Sequence, residues 1–148
     1  MGKKSFASIV CLVLAAGIHT AFAATDLSGY WISGSGAVYQ FIQKGNDVIA
    51  TFEKPNQAQS DGGVKPGDVA FTGKVTGSIV AGLFHQRFPT SLREKCPANW
   101  YSTTDLKLTI SADGAEMDGV VLLPHISDTC EIDDGRMVQQ VLKRTAKP

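Results

Sequence analysis

The sequence predicts an all-β domain, an eight-stranded antiparallel up-and-down barrel closed by one disulfide. Three observations predict it. Beyond residue 23 the chain runs in short alternating apolar and polar stretches with almost no helical periodicity. Tight glycine turns alternate with long connections between those stretches. Cys96 and Cys130 fall in two of the long connections.

The amino terminus reads as an export leader over residues 1–23, leaving a single domain over residues 24–148. Lys3 and Lys4 supply the positive start, Ile9 to Ala16 the apolar segment, and Ala21-Phe22-Ala23 the small-x-small cleavage site. That apolar segment is too short for a permanent span, and no later one is long enough, so no membrane span is expected after maturation. Cys11 departs with the leader, since Val10 before it is not the small residue of a lipoprotein signal. The expected destination is the periplasm or the outside of the cell. Loss of Lys3 and Lys4 takes the basic count from 14 to 12 against 14 acidic residues, a net charge of about −2. That balance argues against nucleic acid or an anionic membrane surface as the main partner.

The strands follow in order. Gly29 to Ser33 is the first and carries Tyr30 and Trp31. Ala37 to Gln43 is the second, and Lys44-Gly45-Asn46-Asp47 turns it into the third, Val48 to Glu53. The fourth holds Phe71 and reaches Gly73; Lys74 to Gly77 leads into the fifth, Ser78 to His85. The fifth is apolar on both faces, with Ile79, Ala81 and Leu83 against Val80, Gly82 and Phe84. In the sixth, Leu106, Leu108 and Ile110 face one way, Lys107 and Thr109 the other. Ala112-Asp113-Gly114 is a hairpin turn, because Asp-Gly tolerates the positive φ angles of a primed turn. Glu116 to Leu123 and Met137 to Arg144 complete the eight.

Connection lengths give the layout. Short turns join strands two and three, four and five, and six and seven. Long segments (Lys54 to Asp68, Gln86 to Tyr101, Pro124 to Arg136) join the others. In a meander, alternate connections lie at opposite ends, so the long ones share a pole. Cys96 and Cys130 then meet at that pole, and an oxidising compartment lets them pair. Closure into a barrel removes exposed sheet edges. Such an interior is either filled by side chains or holds one small ligand.

Leu27-Ser28-Gly29-Tyr30-Trp31 resembles the Gly-x-Trp start of calycins, the superfamily of lipocalins and avidins. The resemblance implies a small barrel whose first strand bends at Gly29 and whose Trp31 plugs the floor. It also implies binding of small, mostly apolar molecules. No residue stands out as the arginine of true lipocalins, and the biotin-contacting pattern of avidins is not recognisable. The same start is similar to small secreted barrels that inhibit bacterial metalloproteases, although those place their cysteines earlier.

Catalytic spacings are missing from the sequence. It holds no His-Glu-x-x-His, no Gly-x-Ser-x-Gly and no P-loop. Gly34-Ser35-Gly36 reads as a turn. His85 and His125, with Asp128, Glu131, Asp133 and Asp134, lack metal-ligand spacing, and Asp133-Asp134-Gly135 reads as a turn into the last strand. No cofactor, no metal and no catalysis are expected. The strongest binding signal lies around the second long connection, where Arg87, Arg93 and Lys95 accompany Phe88, Trp100 and Tyr101. The expected ligand-binding residues are His85, Arg87, Trp100, Tyr101 and His125 at the long-loop mouth. The expected partner is a small, apolar or aromatic ligand. The alternative is a periplasmic protein, with the disulfide-held loops acting as an interaction module such as an enzyme inhibitor.

Overall fold

The computed structural model describes residues 25–98 and 101–148. The leader expected over residues 1–23 and the side chain of Trp100 lie outside the described residues. The elements are β1 (Gly29–Ser33), β2 (Val38–Lys44), β3 (Asp47–Lys54), α1 (Gln57–Asp61), β4 (Val69–Thr76), β5 (Ile79–Arg87), α2 (Thr90–Lys95), β6 (Tyr101–Ile110), β7 (Glu116–Ile126) and β8 (Ile132–Thr145). Each strand pairs antiparallel with its sequence neighbours, and β8 returns to pair with β1. The predicted eight-stranded closed barrel with its Cys96–Cys130 bridge is therefore what the chain forms.

Two features of the connections differ from the sequence reading. The first two long connections each carry a short helix. Asn56 caps α1 by accepting from the Gln59 backbone, while the Gln59 side chain accepts from the Asn56 backbone. Pro89 starts α2, and the Cys96 N–H closes it on the Leu92 carbonyl. The third connection is short. β7 runs on to Ile126 and β8 begins at Ile132, so Asp133-Asp134-Gly135 is strand, not turn. A register shift between Leu123 and His125 absorbs Pro124, which has no N–H for the ladder. The apolar–polar alternation is lost at that bulge, which is why the sequence reads as a loop there.

The compact turns β2–β3, β4–β5 and β6–β7 seal one pole. Trp31 is fully buried there and its Nε1 donates to the Leu27 carbonyl at 2.9 Å. Arg144 lies opposite Trp31 in the β1–β8 register. Its guanidinium sits 4.6 Å from the indole centroid and donates to the carbonyls of Gly114, Ser28 and Asp26. One side chain thus clasps the first strand, the last strand and a floor turn.

The opposite pole gathers the β1–β2 connection, both helical segments and the β7–β8 connection. Asn56 Nδ2 donates to Ser35 Oγ at 3.0 Å, and the disulfide joins the end of α2 to the β7–β8 connection. Between the poles the interior is filled. Phe41, Phe71, Val80, Leu108, Met117 and Val121 form its centre, and Val64 from the β3–β4 connection is buried in the same cluster. The gap left among Tyr39, Phe71, Phe84, Leu108 and Gln140 is about 20 Å³, room for a single water. The apolar outer face of β5 stays partly open to solvent, with Leu83 42% exposed.

Candidate functional site: a cleft where the barrel wall parts

The ladder between β6 and β7 ends at the Leu106–Val121 pair. Beyond it β6 pairs only with β5, up to Arg87–Tyr101, and β7 only with β8, up to Ile126–Ile132. The upper wall is thus two separate ribbons, tied at the pole by the disulfide, whose Cα atoms are 5.3 Å apart. A cleft of about 700 Å³ lies between them. One wall is Gln86, Phe88, Pro89, Ser91 and Leu92; the other is Leu123 to Ile126, with Asp133, Gly135 and Arg136. Phe88, Ile126 and Cys96 form a small separate core at its end, with Leu92 and Cys130 packed against it. The disulfide therefore holds the apolar walls as well as the chain.

The structure separates the five residues singled out in the sequence. His125 lines the cleft, and its Nδ1 lies 3.1 Å from both carboxylate oxygens of Asp133. Alternation places His85 and Tyr101 on the outer wall. There His85 Nδ1 contacts the Tyr101 hydroxyl, and Nε2 lies 3.3 Å from Thr72 Oγ1. Burial pushes the His85 imidazole below its ordinary pKa. Arg87 points outward as well, donating to the Gly63 carbonyl at 2.9 Å and pairing with Asp68 at 2.7 Å. It fastens the β3–β4 connection to the barrel. Trp100 precedes Tyr101 but lies outside the described residues.

The sequence reading did not single out the inner face of the β5–β6 ribbon. Gln86 faces Ser102 across the ladder, and Phe84 faces Thr104. Gln86 Oε1, Ser102 Oγ and Thr104 Oγ1 are shut off from solvent without a hydrogen-bond partner among the described residues. A signal for them existed. Ser102 and Thr104 continue the parity of Leu106, Leu108 and Ile110, and Gln86 continues that of Val80, Gly82 and Phe84. Deeper in, Gln59 Nε2 donates to the Tyr39 hydroxyl at 3.3 Å, and burial pushes that phenol up. Among the described residues no three His, Cys, Asp or Glu side chains gather as metal ligands, and no helix is long and apolar enough to cross a membrane.

A filled eight-stranded meander with a Trp-plugged floor and a cleft at the braced pole defines the class, a closed antiparallel β-barrel. Among solved structures, the bradavidin2–biotin complex is similar, at 14% identity and a TM-score of 0.54, covering 82% of this chain and 99% of that one. No family model and no curated protein matches the chain. The likeness to bradavidin2 is one of fold.

Proposed function

We propose that this protein is a non-catalytic, exported barrel that binds a small ligand with an apolar or aromatic body at its long-loop pole. The observation that carries the reading is the cleft of about 700 Å³ between the two upper ribbons, within the usual size of small-molecule sites. Phe88, Leu92, Leu123 and Ile126 offer apolar surface, while His125, Asp133 and Arg136 offer polar groups at the edge. The bradavidin2 barrel, solved with biotin, supports a binding role. The ligand of this chain sits above the filled core, since the interior gap is water-sized. A disulfide supports an oxidising compartment, in keeping with export. Native mass spectrometry of protein purified from its own host tests the proposal. A retained small mass, lost on substituting Leu123 by Arg to obstruct the cleft, is the expected result. A protein released without any bound mass, and inert to a small-molecule panel, overturns it.

A second reading is favoured by the filled interior together with the exposed Tyr101 beside the disulfide-held α2 segment. In it the pole docks against a partner protein, as an inhibitor does. A co-purifying protein in the same experiment, displaced by Tyr101→Ala, selects this reading over the first.

A further inference from the structure

We infer that the edge of β7 above Val121 is a strand-addition site for an extended peptide. This rests on the cleft reading and names the class of its ligand. The β6–β7 ladder stops at Leu106–Val121, while β7 runs on to Ile126 paired only with β8. Leu122 to Ile126 therefore have a neighbouring strand on one side alone. Their other side is an edge, and an edge presents backbone N–H and C=O groups with which another chain can pair. Pro124 suits such a place, since proline is tolerated on edge strands; it takes one donor out of the row and leaves the carbonyls. Access is open, because Leu123, Pro124, His125 and Ile126 line the cleft of about 700 Å³.

The edge sets the ligand. Its donors and acceptors repeat at the spacing of a strand, and a second extended backbone matches that repeat. The stretch is bounded below by the Leu106–Val121 pair and above by the Cys96–Cys130 bridge. It takes about five residues, a length of about 17 Å. Successive side chains of an added strand point to opposite faces of the wall. Those pointing inward meet Phe88, Leu92 and Leu123 in the cleft. Those pointing outward meet Leu122 and its cross-strand partner Met137, which are 36% and 66% exposed. Exposed apolar surface beside an open edge is surface that a partner strand covers. The peptide is thus apolar on both faces. Arg136 pairs with Leu123 across the ladder and lines the cleft, so one inward position is matched by an acidic side chain. Asp133, the acid nearest in the cleft, is engaged with His125.

The test titrates acetyl-Val-Ile-Asp-Ile-Val-amide into the isotope-labelled protein and follows backbone amides by NMR. Shifts and slowed hydrogen exchange are expected at residues 122–126. Two isomers of the peptide, N-methylated at its second and fourth residues or at its first, third and fifth, keep every side chain and remove alternate donors. A strand turns only alternate N–H groups towards one neighbour, so one isomer is expected to bind about tenfold more weakly and the other as the parent peptide does. Met137→Lys is expected to weaken the parent peptide about fivefold through the lost outer contact. Equal affinity of the three peptides shows that side chains alone are read; it overturns the inference and leaves the cleft standing as a site. Shifts confined to residues outside 122–126, or a peptide affinity unmoved by Met137→Lys, overturn it too. If the small-molecule panel shifts cleft amides and no peptide does, the inference falls and the cleft reading stands. If neither does, both fall.

Discussion

Replacing Cys96 by serine removes the covalent tie between the two upper ribbons. The bridge spans 34 residues of sequence. In the chain-entropy model a loop of that length takes about 4 kcal/mol from the unfolded state. A domain of this size unfolds with an entropy of about 0.26 kcal/mol/K, so the melting temperature should fall by about 15 °C. Cys96 is 2% exposed and packs with Phe88 and Ile126, so the serine hydroxyl also enters an apolar site. That adds to the loss and makes the entropic figure a lower bound. Circular dichroism of the parent, the reduced parent and Cys96→Ser follows the effect. Hydrogen exchange locates it: amides of α2 and of residues 122–126 should lose protection before those of β2 and β3. A melting temperature unchanged by reductant, or uniform loss of protection around the barrel, would refute the idea that the bridge braces the open half.

Three further outcomes are expected. Gly82→Ala should cost about 3 kcal/mol or more, because the new Cβ would lie 2.1 Å from the Thr72 carbonyl oxygen, a backbone atom that cannot swing away; urea unfolding checks it, and a loss below about 1 kcal/mol contradicts the close strand approach. Arg144→Leu should cost about 2 kcal/mol through the lost indole contact and carbonyl bonds, with the Trp31 emission moving to longer wavelength as the floor admits water. His85 has a folded pKa below its ordinary 6.5, so the unfolded chain takes up that proton first as pH falls. Its contribution is complete above the unfolded value and is lost as pH drops through the folded one. His85→Asn should therefore flatten the fall in melting temperature between about pH 7 and 5, and an NMR midpoint for His85 above 6.5 contradicts this.

The barrel was legible because period-2 alternation and Gly-centred turns are local signals. The ladder through Leu106, Leu108 and Ile110 carries its own inside and outside. The bridge was legible because loop parity put both cysteines on one pole. The state of the interior was not. It depends on the β3–β4 connection delivering Val64 into the core and on the summed fit of aromatic side chains, which no single stretch records. Among the described residues, His125 is the one of those expected that lines the cleft. Nearness in sequence and to the loops groups His85, Arg87 and Tyr101, and strand parity turns all three outward. Counting alternation back from Leu106 would have drawn attention to Ser102 and Thr104 instead. The parting of β6 from β7 has no sequence mark apart from Pro124.

The seam between β1 and β8 has a kinetic consequence. Every other strand pairing joins neighbours along the chain and can form as a hairpin within a few tens of residues. The pair Tyr30–Thr145 joins opposite ends of the ribbon. Non-local contacts are the slow ones, because their loop entropy is spent before they return anything. An open, curled sheet is thus the natural predecessor of the cylinder. The stacking of Arg144 on Trp31 belongs to the closing step, so altering either residue should slow the last phase of folding while leaving the early hairpins untouched.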